Sequence, residues 1–433
     1  MKNTITPTVK ATFCLLLSTS LFAIVPEPAS NKTVPMAFVG ATAHLGNGQV
    51  INNALLAIRD GKITEIKTND QTVDLSNYQV VDISGKQIYP GLILTNSELG
   101  LIEVDALKAT HDEEEMGDIN PSVRSIIAYN TDSELIPTLR FNGVLLSQTV
   151  PQGGIVSGRS SVVELDGWNW EDASYLADEG MHINWPSHWR RKFNFSTFNV
   201  DRVKNDDFDQ AMQSIQKLFE DAKAYQQIQP AHRNLKLAAM AGLFDHKMKL
   251  YIHTDSAADI VSSVKFAQSL GVDNVTIVGG AESLDVTDFM VNNHVSVILS
   301  TIHRLPGTAE EPASLPFELP AKLVKAGVTV ALGFESNMSA RNLPFLAGTA
   351  AAYGLDKEQA LSLITLNPAK ILGISNTVGS LEKGKDATFF VSKGDALDMR
   401  GNQLSLAFIR GKKIGLEGTQ QKLYERYHKK ITE

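Results

Sequence analysis

Eight short apolar runs, each ending in polar or glycine residues, constrain this chain more than any other feature. They are YPGLILTN, GVLLSQTV, SSVVELDG, HINWPS, KLYIHTDS, NVTIVGG, VSVILS and TVALGFES. Runs of this length, bounded by turn residues, read as buried strands. From Tyr251 onward they alternate with stretches of helix-like spacing at 257–270, 284–292 and 320–326. Strand and helix alternating at this interval imply parallel βαβ units. The expected fold class is therefore α/β, a (β/α)₈ TIM-like barrel over residues 89–374. Its site would lie at the C-terminal ends of the strands.

Strand and turn patterns also flank the barrel, at 36–88 and again at 375–433, the latter closing with a charged helix over 420–430. Neither flank is large enough to hold a core alone, so the two are expected to build one small β-sandwich. With 43% hydrophobic residues in 433, the chain can bury cores of this size. Its net charge of −8 shows no basic stripe and excludes a main role on nucleic acid.

The single cysteine, Cys14, excludes a disulfide framework and a cysteine-based zinc site. It falls in ATFCLLLSTSLFAIV (11–25), an apolar run preceded by Lys2 and Lys10. A basic start, a short apolar core and small residues after it read as a secretory signal peptide over residues 1–28. The alternative is an uncleaved N-terminal anchor. Cleavage could follow Ala23 or fall near Ala29; after Ala23 it would leave a cysteine-free chain of net charge −10, periplasmic or secreted, with no membrane span.

Three segments resemble the amidohydrolase superfamily, in particular its imidazolonepropionase-like and exported branch. They are AFVGATAHLGNGQVINNALLAIRDGKITEI (37–66), VVDISGKQIYPGLI (80–93), and ITLNPAKILGI (364–374) followed by VGSLEKGKDATFFV (378–391). Their order and spacing cover nearly the whole chain after the signal segment. The resemblance implies one or two divalent metals at the barrel mouth. It places an HxH pair after the first strand, one histidine each after the fifth and sixth, and an aspartate after the eighth. Such a metal acidifies a water, and the aspartate shuttles the proton.

Position by position, this chain departs from that set. Asn96 and Glu98 stand where the HxH pair would be, His253 is kept, Gly279 replaces the sixth-strand histidine, and Glu335 replaces the aspartate. HINWPS carries neither the bridging lysine nor the glutamate that the fourth strand often supplies in relatives. His253 with Glu98 and Glu335 could still hold one divalent ion (Zn, Mn or Mg), the oxygen-rich set favouring a harder ion. The alternative is no metal, with His253 a hydrogen-bonded remnant. Glu335 reads either as a general base raised by a neighbouring carboxylate or as an ion-pair partner of Arg341.

Other candidates lie around the mouth. His303 and Arg304 follow the seventh strand and Arg341 follows the eighth; each could bind a substrate carboxylate, the arginines bidentately. His111-Asp112-Glu113-Glu114-Glu115 lacks HExxH spacing and reads as a solvated loop or a loop over the mouth. The tryptophans 168, 170, 185 and 189 fall in one window, as a ligand platform or as local core. Gly153, Gly154 and Gly158 read as a tight loop near the mouth rather than a phosphate loop.

Two functions follow. One is an exported hydrolase of C–N bonds in a small amide, cyclic amide or dipeptide-like compound, with Glu335 and His253 catalytic. The other is a pseudoenzyme that binds a ligand or serves as partner subunit of an intact relative, as a homodimer or heteromer.

Overall fold

The computed structural model describes residues 27–432 except 71–72, 197, 229–231, 301, 308–310 and 335. Residues 1–26 of the expected signal peptide (1–28) and Glu335 therefore lie outside the described residues. Among the described residues, no helix is long and apolar enough to cross a membrane.

Five strands open the chain: β1 (Met36–His44), β2 (Val50–Arg59), β3 (Lys62–Thr68), β4 (Gln79–Asp82) and β5 (Gln87–Pro90). The barrel takes β6 (Leu92–Ser97), β7 (Val144–Thr149), β8 (Val156–Glu164) and β9 (Ser174–Asn184). A hairpin, β10 (Trp189–Asn194) and β11 (Asn199–Lys204), stands apart. The barrel resumes with β12 (Lys249–Thr254), β13 (Val275–Gly279), β14 (Ser296–Leu299) and β15 (Val330–Leu332). Three last strands are β16 (Phe389–Ser392), β17 (Leu404–Ile409) and β18 (Lys412–Lys413).

All eight expected runs lie in the barrel sheet, ordered β15-β14-β13-β12-β9-β8-β7-β6. A parallel bridge from Thr95 to Gly333 brings its two edges together. Strands β6 and β7 are buried at every residue, apolar over their first halves and polar toward the barrel mouth.

One part of the parallel expectation is corrected. Strand β8 pairs antiparallel with both β7 and β9. Only residues 150–155 join β7 to β8. A parallel return needs a crossover of roughly a dozen residues or more, so this connection can only make a hairpin. Parallel pairing holds for β6–β7, β9–β12 and on through β15. The helix expected from residue 320 starts earlier, at Leu315, and carries Pro320 inside it.

The flanks share one continuous sheet, β18-β17-β16-β5-β1-β2-β3, with β4 on β1. Strand β16 pairs antiparallel with β5, joining residues about 300 apart in sequence through Phe389 opposite Pro90. Phe38, Phe389 and Phe408 fill its core, with ring centroids 4.9 to 5.3 Å apart. The C-terminal helix Thr419–Thr432 buries no residue, as its charged sequence implies.

At the seam between sheet and barrel, His44 of β1 faces two acceptors. Its Nδ1 lies 2.6 Å from Glu358 Oε1, and its Nε2 lies 2.9 Å from Gln87 Oε1. The ring stacks on Tyr89 at 4.4 Å. Glu358 belongs to the helix Lys357–Ser362, so this imidazole staples the flank sheet to the barrel.

Candidate active site at the barrel mouth

The C-terminal ends of β9 and β12 bring two histidines together. In the parallel register, His182 sits beside Tyr251 and His253 beside Asn184. These side chains point to the same face because strand residues alternate. His182 Nδ1 and His253 Nε2 are 2.9 Å apart. The His182 ring also stacks on Tyr251, with centroids 4.6 Å apart and planes within 12°.

Both imidazoles are neutral at ordinary pH. Burial pushes His253 down to about 4. His182 is held well below the usual histidine range by burial and by the nearby His253. His182 Nε2 is buried with no partner among the described residues. A buried N–H without an acceptor is rarer than an acceptor left bare, so the His182 proton belongs on Nδ1. His182 then donates to His253 Nε2, and His253 carries its own proton on Nδ1. The pair presents a neutral hydrogen-bond donor.

Beneath the histidines lies a polar network. Glu179 Oε1 accepts from Ser160 Oγ at 2.5 Å and Gln148 Nε2 at 2.7 Å. Its Oε2 accepts from the Tyr251 hydroxyl at 2.9 Å. Burial raises the Glu179 carboxyl despite these donors. Tyr251 fits only because residue 180 is glycine, since a Cβ there would overlap the tyrosine ring. Gln148 Oε1 in turn accepts from the Asn96 backbone N–H at 3.1 Å. A chain of hydrogen bonds thus runs from Tyr251, which His182 covers, to the C-terminal end of β6.

The family's ligand positions can be examined one at a time. Asn96 is buried at φ 52°, its amide nitrogen 3.4 Å from Ser300 Oγ and its Oδ1 without a partner among the described residues. Glu98 follows β6, and its carbonyl accepts from Asn337 Nδ2 at 3.1 Å. Gly279 has φ 98°, and a Cβ there would lie 2.8 Å from Asp255 Oδ1 and 3.1 Å from the Thr254 carbonyl. Its backbone is shaped for glycine. Among the described residues, no three His, Cys, Asp or Glu side chains are placed to hold one metal ion. The Nε2 lone pair of His253, which would bind a metal, is engaged by His182. Among the described residues, Asn96, Glu98, His253 and Gly279 do not supply the ligand set of a two-metal centre.

The arginines are spent elsewhere. Arg304 makes a bidentate pair with Glu311, at 2.6 and 3.1 Å, within its own loop. That fork is closed to a substrate carboxylate unless the loop opens. His303 Nε2 donates to Thr349 Oγ1 at 2.8 Å, because the threonine hydroxyl already donates to the Phe345 carbonyl. Arg341 donates to the Met338 carbonyl at 2.8 Å.

The acidic loop after His111 lies on the mouth-end turn of the β7–β8 hairpin. Glu114 bridges Gln152, and its side chain packs where a Cβ on Gly153 would stand. His111 itself is held by Glu113 at 3.1 Å and the Asp105 carbonyl at 3.1 Å. The tryptophans do not form one platform. Trp168 and Trp170 precede the start of β9, whereas Trp185 and Trp189 follow its other end. Trp185 is buried against Phe266, and Trp189 is half exposed. A cleft of about 900 Å³ bounded by Tyr175, Asp386 and Arg410 opens beside the N-terminal end of β9, away from the histidine pair.

Comparisons with known proteins agree with this architecture. The amidohydrolase family model matches residues 209–414. The structure superposes on an amidohydrolase from Thermotoga maritima with TM-score 0.76 and 22% identity, covering 88% of this chain and 99% of that one. The chain carries an amidohydrolase-family domain. Among curated amidohydrolase relatives, the imidazolonepropionase of Flavobacterium psychrophilum is 28% identical over 163 residues, 33% of this chain and 40% of that protein. That of Symbiobacterium thermophilum is 36% identical over 85 residues, 19% of this chain and 20% of that protein. The chain thus spans at most 40% of the length of these two relatives. A Xaa-Pro dipeptidase crystallised with methionine in its active site shares the fold, with TM-score 0.55, 14% identity and coverage of 88% and 100%.

His182 is the site residue that sequence reasoning passed over. HINWPS reads as a strand, and its histidine lies two residues before Asn184. Strand alternation could have found it, because His182 shares a face with the barrel-mouth position Asn184.

Proposed function

We propose that this protein hydrolyses a C–N bond in a small amide, cyclic amide or dipeptide-like compound bound at the barrel mouth. The observation that carries the reading is the His182–His253 pair, a neutral, oriented donor at the C-terminal ends of two barrel strands. A neutral imidazole can polarise a carbonyl without first losing a proton. In this reading His253 Nδ1–H hydrogen-bonds the amide oxygen as negative charge gathers there. Glu335 takes a proton from the attacking water and passes it to the leaving nitrogen.

The test uses purified full-length protein with a panel of simple amides, cyclic amides and dipeptides, with and without added zinc or manganese. Turnover should fall by about 10²-fold or more in His253→Ala, the cost of removing one oxyanion donor. Glu335→Gln should abolish it. Turnover untouched by both substitutions would refute the assignment of this site.

A second reading has its own support. At Gly279, where the resemblance puts a histidine ligand, φ is 98° and a side chain would be strained. That favours a binding or partner subunit of an intact relative, which would take up a ligand at the mouth without turning it over. Saturable ligand binding with no turnover on the same panel would select it. The basic and apolar start of the chain supports export to the periplasm or beyond. Sequencing the N-terminus of the mature chain from cell fractions tests this, and a retained Met1 would refute it.

A further inference from the structure

The hairpin β10–β11 does not pair with either sheet. Residues 189–204 hold five basic residues and one acid, in a chain whose net charge is −8. They also hold Trp189, Phe193, Phe195 and Phe198. The base of the hairpin is pinned. Asn205 bonds the carbonyls of His188 and Ser187, each at 2.9 Å, and His188 stacks on Phe208 at 3.6 Å. Beyond that base the ribbon projects from the mouth end of β9.

The register sorts its two faces. Trp189 opposes Lys204 and Phe193 opposes Val200, so these four share a face. Arg202 lies between Val200 and Lys204 on the same face, its guanidinium 5.0 Å from the Trp189 ring. The opposite face is internally neutralised. There Lys192 opposes Asp201, Asn194 donates to Asp201 at 2.7 Å, and Arg190 pairs with Asp207 at 3.5 Å. At the tip, Phe195 is 81% and Phe198 78% exposed, both edge-on to Phe193. A two-stranded ribbon gains little stability alone, so aromatics this exposed are not explained by folding.

We propose that this hairpin docks the protein on an anionic lipid bilayer. Phenylalanines at the turn enter the interface, Trp189 lies at headgroup depth, and Arg202 and Lys204 meet lipid phosphates. Aromatic and basic residues on one face form the pattern that partitions to such surfaces. Charge chooses the partner. The remainder of the chain carries an excess of acids, so an anionic bilayer attracts this ribbon and repels the rest of the surface. Docking in this way would leave the barrel mouth beside the membrane.

The test is flotation of the full-length protein with vesicles of phosphatidylcholine alone or with 30% phosphatidylglycerol. Binding should be at least about tenfold tighter to the anionic vesicles and fall with added salt. Phe195→Ser with Phe198→Ser should abolish it. Arg202→Glu with Lys204→Glu should remove the preference for phosphatidylglycerol. All variants should keep the wild-type circular dichroism spectrum and melting temperature, since the substituted side chains are exposed. Equal binding to both vesicle types, or none, would overturn the proposal. A dimer seen by sedimentation velocity that the phenylalanine substitutions dissolve, without vesicle binding, would assign the face to a second copy instead.

Discussion

Gly279→His, which puts a histidine where the family resemblance expects a ligand, should damage the fold rather than create a metal centre. Two costs can be read from the structure. The backbone at 279 has φ 98°, and a side chain held in such a sparsely populated region costs about 1–3 kcal/mol. A Cβ would also stand 2.8 Å from Asp255 Oδ1 and 3.1 Å from the Thr254 carbonyl, and overpacking of this kind costs about 1–3 kcal/mol. Together they predict a loss of about 2–6 kcal/mol, summed from those two ranges. Gly279→Ala should suffer most of it, because both costs arise at the backbone and Cβ rather than at the imidazole. Urea unfolding followed by tryptophan fluorescence measures the loss. Metal analysis after dialysis against zinc should give no more bound metal in Gly279→His than in the wild type. A histidine variant within 1 kcal/mol of wild type that takes up one zinc per chain would refute the reasoning, since it would mean that the strand end relaxes freely into a ligand-bearing form.

Three further outcomes follow from buried groups. Burial alone would lower the pKa of His44, but its hydrogen bond and charge pairing with Glu358, helped by Gln87, raise it above 6.5. Its stabilising effect is therefore full below about pH 6.5 and lost as pH rises through the raised value; the urea-midpoint gap between wild type and His44→Gln should close at alkaline pH. His253 works in the opposite sense. Between pH 6.5 and about 4 the unfolded chain binds a proton that the folded site refuses, so stability should fall with acidification across that window, and less so in His253→Asn. Finally, Tyr251→Phe removes the 2.9 Å hydrogen bond to the buried Glu179 carboxyl and should cost about 1.5–3 kcal/mol in urea unfolding. A loss under 0.5 kcal/mol would show that Ser160 and Gln148 suffice.

The sequence by itself determined where the strands lie, because local signals carry that information. Buried strands such as LILTNS and VLLSQT are legible from their apolar first halves and from the polar and turn residues that follow. It also marked the two flanks as one unit, because neither could close a core alone. The residue types at positions 96, 279 and 335 were legible in the sequence. Only the tertiary structure showed Asn96 buried beside Ser300 and Gly279 at a backbone angle that suits glycine. Whether β8 runs parallel or antiparallel depends on a connection too short to cross the sheet, a property of loop length against geometry. His182 and His253 are 71 positions apart, and nothing in either segment announces a 2.9 Å contact. Arg304 reads as a free cation until Glu311 is seen closing its fork. Strand pattern is a local consequence of burial, whereas a site is a meeting of side chains across space. For that reason the fold could be read along the chain, while the histidine pair needed the barrel to be closed.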